Sequence, residues 1–325
     1  GAISGSGTAA ASAMGSIIGP IEAEEGYDAE FSAAANIATA PTGLLIPPSN
    51  VMITFSLVSG GTSVAALFMA GYIPGILWGL ACMIVIYIFA KKKGYKSTSS
   101  FKGKEKLMVI WQALPSLLMI VIVIGGIIGG IFTATEGSVV AVVYTLILSL
   151  FFYKTIKFKD LPEIFLASAE MTGIIVFLIG VSSIMSWVMA FTDIPTLVSN
   201  ALLGISNNKY VIFFIINIIL LIVGTFMDMT PATLIFTPIF LPICQRLGMN
   251  VIHFGIMMIF NLCIGTITPP VGTTLFVGVK VGGTTIEKVI KPLLWYFAAI
   301  FAVLMLVTYV PQISLWLPGV MGYVK

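Results

Sequence analysis

Charged residues are scarce in this chain of 325 residues. They make up 9% of the sequence, hydrophobic residues make up 58%, and the mean hydropathy is +1.09. Because soluble globular proteins carry about 25% charged residues, this composition excludes an ordinary soluble domain and predicts a polytopic helical membrane protein. The net charge of +3 gives no reason to expect a nucleic-acid partner. We interpret the 16 Lys and Arg residues as markers of membrane topology.

Cysteine, histidine and the common catalytic motifs are also scarce or absent. The 3 cysteines have no metal-binding or redox spacing. The single histidine, His253, lies in the polar bend after Arg246, where we expect it at the membrane interface. No Gly-x-x-x-x-Gly-Lys-[Ser/Thr] motif is present, which excludes ATP-driven transport by this chain alone. A Ser-His-Asp set and a His-Glu-x-x-His motif are missing too, so a membrane-embedded enzyme is an alternative without a recognisable site.

The sequence does contain one stretch that occurs twice. Gly-Leu-Leu-Ile-Pro-Pro at 43–48 corresponds to Gly-Thr-Ile-Thr-Pro-Pro at 265–270, at an offset of 222 residues. The same offset relates the Gly-Gly-Thr at 60–62 to the Gly-Gly-Thr at 282–284. The chain therefore contains an internal repeat that is several helices long.

Each Pro-Pro pair is predicted to break a helix inside an apolar run, because proline lacks an N–H and clashes with the preceding turn. The carbonyls expected to lose their partners are those of Gly43, Leu44, Gly265 and Thr266. In hydrocarbon an unsatisfied carbonyl costs several kcal/mol, and helices broken at matching places in two halves indicate a transporter's binding site. The alternative is two Pro-kinked core helices that bind no ligand.

The lysines predict opposite orientations for the two copies. The helix after the first Gly-Gly-Thr ends in Lys91-Lys92-Lys93, whereas the equivalent helix of the second copy begins with Lys288 and Lys291. If lysines mark the cytoplasm, the copies form an inverted-topology repeat with both breaks near the bilayer midplane. We expect further N-terminal helices before Gly1, on this chain or another.

The predicted elements follow from the apolar runs and the charges between them. The acidic segment from Glu22 to Glu30 is expected to be an aqueous loop. The predicted spans are 32–66 (broken), 69–90, 107–132, 137–153, 166–190, two hairpin arms at 209–227 and 230–245, a second broken span at 252–285, and 292–310. A short helix is expected at 196–206.

Four segments resemble the large membrane subunit of tripartite ATP-independent periplasmic (TRAP) transporters. They are Ser4-Gly5-Ser6, Gly43 to Ser49, Phe226 to Ala232 and Asn261 to Gly272. The resemblance covers essentially the whole chain. It implies an all-α polytopic membrane protein with inverted repeats, two re-entrant helical hairpins and two Pro-broken helices, of the elevator type.

The resemblance also implies a function. Such a subunit is a sodium-driven importer of an organic acid anion in the bacterial inner membrane, with sialic acid favoured and a C4-dicarboxylate or sugar acid possible. Its partners are a small four-helix membrane subunit, a periplasmic substrate-binding protein and membrane lipid. A passive channel is a further alternative, because channels also use inverted repeats.

Four domains are predicted on this basis. They are a first transport repeat at 1–68 (a hairpin remnant and a broken helix), scaffold helices at 69–208, a second transport repeat at 209–288, and a C-terminal scaffold helix and tail at 289–325.

One sodium ion is predicted at each break, because sodium is a hard cation that prefers oxygen ligands. The first site is predicted to use Ser4, Ser6, Gly43, Ile46 and Pro47. The second site is predicted to use Gly224, Thr225, Asp228, Gly265, Thr266, Thr268 and Pro269. Two alternatives stay open: Ser4 and Ser6 could belong to a Gly/Ser packing face, and Asp228 could cap a helix or face water.

The substrate is predicted to bind between the two breaks, where the N-termini of half-helices suit a carboxylate. The residues predicted to contact it are Ser49, Asn50, Thr230, Gly272, Thr273 and Thr274.

Overall fold

The structure is a computed structural model that describes residues 5–95, 103–206 and 208–324. Every regular element in these ranges is a helix. The chain divides into two compact units, the first formed by Gly1–Ser97 with Met185–Lys325 and the second by Thr98–Ile184.

The helices are numbered in chain order. The first five are α1 (Gly7–Glu24), α2 (Ala29–Thr39), α3 (Thr42–Leu45), α4 (Asn50–Val58) and α5 (Val64–Lys93). Next come α6 (Gly103–Ile128), α7 (Ala134–Ile147) and α8 (Leu161–Phe191), with a π-helical turn at Leu148–Phe152 and a 3-10 turn at Phe158–Asp160. The last seven are α9 (Ile194–Ile205), α10 (Lys209–Phe226), α11 (Met229–Arg246), α12 (Val251–Thr266), α13 (Thr273–Val281), α14 (Ile286–Tyr309) and α15 (Gln312–Val320).

The expectation of a polytopic membrane protein is confirmed. In the described ranges, five helices are long and apolar enough to cross a membrane, or six if α2 to α4 count as one span bent by 46°. The acidic segment is not the expected loop. Glu22 and Glu24 lie in the last turn of α1, and Glu30 lies in the first turn of α2. The negative charge of Glu30 is stabilised there by the partial positive charge of the helix N-terminus.

In the second unit, α6 and α7 form an antiparallel pair. Thr133 and Glu136 form a capping box that begins α7, because each side chain accepts a hydrogen bond from the other residue's backbone N–H. The Tyr144 hydroxyl of α7 donates to the Pro115 carbonyl of α6 at 2.8 Å. This bond satisfies a carbonyl in an apolar helix pair.

The internal repeat is present in the structure element by element. α1 and α11, α2 and α12, and α5 and α14 each begin at positions separated by the sequence offset of 222 residues. The turn after α1 is closed by the Tyr27 N–H, which donates to the Glu22 carbonyl at 2.9 Å. The turn after α11 repeats this bond between Met249 and Cys244, also at 2.9 Å.

The two copies exchange contacts in a reciprocal way. α1 of the first copy packs against α13 of the second, and the equivalent helix α11 packs against α4. In the same manner, α2 packs against α14 and α12 packs against α5. Reciprocal contacts of this kind are what a pseudo-twofold axis produces. The first unit is therefore a pseudo-symmetric pair of repeats.

Equivalent helices run in opposite directions. Near the end of α5, the Phe89 ring lies 6.1 Å from the Trp295 ring in the first half of α14. At the same end of the unit, the start of α2 contributes an ion pair between Asp28 and Lys93. The start of its equivalent, α12, lies at the other end of α14. There His253 Nε2 is 2.8 Å from the Val307 carbonyl oxygen.

His253 is buried, with 2% of its surface exposed, so the expectation of an interfacial histidine is wrong. Its ring fills a gap between α12 and α14 and hydrogen-bonds a backbone carbonyl there. α12 is the centre of the first unit, since every residue from Ile252 to Thr266 is buried. Trp78 of α5 packs on Phe260 of α12, with ring centroids 4.8 Å apart.

Candidate functional site

The first break separates α3 from α4. The Ile46 N–H donates to the Thr42 carbonyl, and the next two residues are prolines without an N–H. As a result, no donor among the described residues reaches the carbonyls of Gly43 and Leu44. The predicted loss of these two hydrogen bonds is confirmed.

The second break, between α12 and α13, differs in one respect. The Thr266 carbonyl has no donor in the described part of the chain, as predicted. The Gly265 carbonyl, however, accepts the Thr268 N–H at 3.0 Å, so the prediction that it is left without a partner is wrong. The chain tightens into a 3-10 turn there, which replaces the bond that Pro269 cannot make. Both Pro-Pro peptide bonds are cis.

The tip of the second hairpin lies against the second break. A Cβ at Gly265 would lie 2.4 Å from the carbonyl carbon and oxygen of Gly224, so this approach requires glycine at position 265. The Val271 N–H donates to the Thr225 carbonyl at 3.2 Å. Three residues predicted for the second sodium site, Gly224, Thr225 and Gly265, are thus brought together.

Three threonine hydroxyls at the hairpin tip and the second break donate hydrogen bonds to backbone carbonyls of their own helices. Thr225 donates to Ile222 at 2.7 Å, Thr266 to Cys263 at 2.8 Å and Thr268 to Ile264 at 2.6 Å. Each hydroxyl oxygen keeps lone pairs that can face a cation. Thr225, Thr268 and Pro269 also line one cavity of about 570 Å³ together with aromatic rings of α14.

Asp228 occupies the N-cap position of α11, and its side chain makes no capping hydrogen bond. The residue is exposed at the hairpin tip. The capping alternative is therefore not realised in this structure. A carboxylate that accepts no capping bond keeps both oxygens for another partner, so Asp228 is compatible with a cation and with water.

Of the two serines predicted for the first site, Ser6 directly precedes α1 and Ser4 lies outside the described residues. Ser6 caps α1, since its Oγ accepts the Ala9 N–H at 3.3 Å, and it also shares a hydrogen bond of 3.0 Å with Thr8 Oγ1. Gly5 adopts a φ of +60°, and a Cβ there would lie 2.7 Å from the Pro48 carbonyl oxygen. Close packing through glycine, one of the open alternatives, is therefore part of this site.

The other residues predicted for the first site, Gly43, Ile46 and Pro47, form the break itself. Gly43 and Pro47 are buried and Ile46 is half-buried with an extended backbone. The backbone oxygens of the break are the groups that they can offer to a cation.

Two hydroxyls predicted to contact substrate are buried without a partner. Ser49 is 0% exposed and Thr274 is 1% exposed, and neither hydroxyl has a hydrogen-bond partner among the residues that the structure describes. They belong to opposite repeats. Gly7 lies between the two breaks, because a Cβ there would be 3.0 Å from Thr274 Oγ1 and 3.2 Å from Leu44 Cδ1.

The remaining predicted contacts surround this point less tightly. A Cβ at Gly272 would lie 2.8 Å from the Thr268 carbonyl oxygen and 3.1 Å from that of Thr266, so a side chain would cover both oxygens. Thr230 and Thr273 are half-buried, and Asn50 is exposed.

Three helices begin near the two buried hydroxyls. α4 begins at the residue after Ser49, α13 begins at the residue before Thr274, and α1 begins at Gly7. The N-terminal turn of a helix carries free N–H groups and a partial positive charge, which favour an anion. The part played by Gly7 was missed from sequence, although it follows directly on the Ser4-Gly5-Ser6 motif.

Comparison with known proteins places these features in a family. The sequence model described as "Tripartite ATP-independent periplasmic transporter, DctM component" matches residues 1–313. The chain is 54% identical over 318 residues to "Uncharacterized protein YgiK" of Salmonella typhimurium, covering 98% of this chain and 73% of that protein.

Two further relatives have functional names. One is the "Isethionate TRAP transporter permease protein DctMQ" of Oleidesulfovibrio alaskensis, 40% identical over 98% of this chain and 50% of that protein. The other is the "C4-dicarboxylate TRAP transporter large permease protein DctM" of Pseudomonas aeruginosa, 37% identical over 99% of this chain and 75% of that protein.

Proposed function

The chain belongs to the DctM component family of tripartite ATP-independent periplasmic transporters, and we propose that it forms the sodium-coupled path by which a small organic acid anion is imported. The family consists of transporter permeases and not of enzymes. Members work with a small membrane subunit and a periplasmic binding protein. We extend both partners, and the bacterial inner membrane, to this chain.

One observation carries the proposal: two buried hydroxyls that have no partner among the described residues, Ser49 and Thr274, come from opposite repeats and both lie near the start of α1. Leaving a buried hydroxyl unpaired costs about 1–3 kcal/mol. A polar ligand between the breaks would pair with both hydroxyls at once.

The chemistry of the ligand follows from the helix N-termini. α4 and α13 begin beside Ser49 and Thr274, and α1 begins near both residues; the free N–H groups of a helix N-terminus bind carboxylate or sulfonate oxygens. The resemblance favours sialic acid, and relatives of this chain carry names for isethionate, C4-dicarboxylates and sialic acid. An acidic group is common to all of these compounds, so the proposal is stated for small organic acid anions as a class.

Sodium would bind at the two breaks. The carbonyls of Gly43, Leu44 and Thr266 lack donors in the described chain, and in a membrane such oxygens favour a cation. Hard cations prefer oxygen ligands, and the lone pairs of Thr268 and the Asp228 carboxylate add to the second set. A cation at each break would also oppose the charge of the anion held between them.

Elevator movement is the mechanism that this geometry supports best. α10 and α11 form a hairpin whose tip reaches the second break instead of crossing beyond it, which fits a re-entrant hairpin. α5 packs directly on the first break, since a Cβ at Gly71 would lie 2.2 Å from the Leu45 carbonyl oxygen. We therefore propose that α5 moves with the first repeat, so that the transport domain extends beyond the predicted boundary at residue 68.

The test is uptake by the complete transporter in liposomes, with its small membrane subunit and its binding protein. Labelled sialic acid, a C4-dicarboxylate and isethionate are supplied with an inward sodium gradient, and again with potassium in place of sodium. We expect accumulation of one anion against its gradient only with sodium. Sodium-independent equilibration without accumulation would instead identify a passive channel and overturn the proposal.

A further inference from the structure

A buried polar network joins α10, α12 and α14. Asn217 and Asn261 are both 0% exposed. Asn261 Nδ2 donates to the Asn217 side-chain oxygen at 2.8 Å and to its backbone carbonyl at 2.9 Å. Asn217 Nδ2 in turn donates to Thr308 Oγ1 at 3.1 Å, and the Thr308 hydroxyl donates to the Leu304 carbonyl at 2.8 Å. Three helices are thus connected by side-chain hydrogen bonds.

Such bonds have a particular effect between membrane helices. Apolar side chains do not drive these helices together, because lipid tails are equally apolar, so small residues and interhelical hydrogen bonds fix the contact. A directional bond also fixes the rotation and height of one helix against another. Asn261 makes two bonds to a single residue, which specifies its position more tightly than one bond could.

The network lies on the seam that leads to the second break. Asn261 is four residues before Gly265 and Asn217 is seven residues before Gly224, and both spacings return to the same helix face. Further along the same contact between α10 and α12, the backbones of Gly224 and Gly265 touch. Any rotation of α12 against α10 would therefore move the Gly224, Gly265 and Thr266 carbonyls relative to one another.

The first repeat has a different set of residues at the equivalent positions. The counterpart of Asn261 is Thr39, whose hydroxyl donates to the Ala35 carbonyl of its own helix at 2.8 Å. The counterpart of Thr308 is Ile86, which has no polar group. The polar pair at positions 261 and 308 is therefore not repeated at 39 and 86, and the first repeat instead joins α2 to α1 through Asn36 Nδ2, which donates to the Ala11 carbonyl at 2.8 Å.

We propose that Asn217 and Asn261 are positioning residues for the cation site at the second break. Through their mutual hydrogen bonds they hold α12 against α10 in the one register that brings the Gly224–Thr225 and Gly265–Thr266 backbones together. This inference rests on the proposed function, because it assigns the aligned oxygens to sodium.

The test compares Asn261→Leu and Asn217→Leu with two control variants in the complete reconstituted transporter. Thr39→Val removes the hydroxyl at the equivalent position of the first repeat. Thr237→Val removes another fully buried hydroxyl, which donates to Met258 Sδ at 3.5 Å and lies outside the network. The readouts are the sodium concentration for half-maximal uptake, the substrate KM at saturating sodium, and the sodium-induced rise in melting temperature in detergent.

Both Asn→Leu variants are expected to raise the half-maximal sodium concentration about tenfold, with the KM at saturating sodium changed less than twofold. The double variant should be no worse than the worse single variant, because both remove the same link. Asn261→Gln, which keeps the amide, should recover part of the sodium affinity. The two control variants should behave like wild type.

The outcomes separate two failures. If wild-type uptake and melting respond to sodium but the Asn→Leu variants keep the wild-type half-maximal concentration, the positioning role is wrong and the proposed function stands. If wild type itself shows no response to sodium, the proposed function fails. If a variant yields little folded protein, its melting response to sodium decides, since that measurement needs binding and not transport.

Discussion

Gly7 of the first repeat lies against Thr274 of the second, with only 3.0 Å between a Cβ built on Gly7 and the threonine Oγ1. The contact joins the start of α1 to the start of α13, and a side chain at position 7 would fit only if Thr274 or Leu44 shifted. It brings the two breaks, which are far apart in sequence, to one place. The size of residue 7 therefore controls the space between them.

Replacing Gly7 with valine should reduce uptake more than tenfold. The added methyl groups would meet Thr274 Oγ1 and Leu44 Cδ1 at less than normal contact distance and would occupy the space assigned to substrate. Gly19→Ala is the matched control in the same helix, because no atom lies within 4 Å of a Cβ at that position. Wild-type uptake by Gly7→Val would remove the first turn of α1 from the site.

Removing the hydroxyl of Thr274 should separate stability from function. Thr274→Val replaces a buried, unpaired hydroxyl by a methyl group of similar shape, so the free energy of unfolding without substrate should rise by about 1 kcal/mol. The substrate KM should increase several-fold, because the same hydroxyl is proposed to bind the anion. Thermal melting in detergent and uptake kinetics measure the two effects.

The control for Thr274→Val is Thr233→Val, where a buried hydroxyl already donates to the Met229 carbonyl at 2.8 Å. This variant should leave the KM unchanged. A Thr274→Val variant with a lower melting temperature and a normal KM would mean that the hydroxyl has a structural partner.

Ser6 and Thr268 should set the sodium dependence. Ser6→Ala and Thr268→Val each remove one oxygen that is proposed to face a cation, and loss of about 1.4 kcal/mol of binding free energy raises a dissociation constant tenfold. We expect a rise of that order in the sodium concentration for half-maximal uptake. Normal sodium dependence in both variants would eliminate these hydroxyls as ligands.

Opposite orientation of the repeats can be tested by labelling. Lys92 and Asp193 are exposed, whereas all three natural cysteines are buried and should react slowly. In intact cells, a membrane-impermeant maleimide should label Asp193→Cys at once and Lys92→Cys only after the membrane is opened. Labelling of both positions from outside would contradict the inverted arrangement.

The ion pair between Asp28 and Lys93 should give stability a specific pH dependence. The hydrogen bond from Lys93, helped by Tyr95, holds the pKa of Asp28 below its ordinary value of 3.8. Since the folded-state pKa is the lower one, the stabilisation is complete above about pH 3.8 and is lost as the pH falls further. Asp28→Asn should therefore destabilise by less than about 1 kcal/mol at pH 7, as expected for an exposed pair.

The comparison of Asp28→Asn with wild type is made by melting between pH 3 and pH 7. The difference should become smaller toward the acid end, as the pH approaches the lowered pKa of Asp28, and it should also shrink in high salt. A difference that is constant across this range would assign the effect of Asp28 to something other than its charge.

Much of the fold could be predicted from sequence because proline and glycine act locally. The Pro-Pro pairs and Gly-Gly pairs repeat at one offset, and each acts on its own turn of chain, so the breaks and the helix boundaries follow without knowledge of the tertiary structure. The lysines predicted opposite directions for the two copies, and the contacts of α14 with Phe89 and with His253 have that arrangement.

The sequence could not predict how the site closes. The approach of Gly7 to Thr274 depends on packing between residues that are distant in the chain. The Thr268 N–H donates to the Gly265 carbonyl because a 3-10 turn satisfies an oxygen that an open break would leave without a donor. Asn217 was overlooked because a single asparagine in an apolar helix carries no signal without its partners on α12 and α14.

The reciprocal packing of the two repeats gives each residue of one repeat a structural counterpart in the other, so the backbone can be compared position by position. Gly26 and Gly248 share one conformation, with φ values of +81° and +84°. Gly60 and Gly282 do not, since Gly60 has a φ of +85° and Gly282 a φ of −73°. The two repeats thus depart from symmetry where α4 and α13 end, just beyond the two breaks.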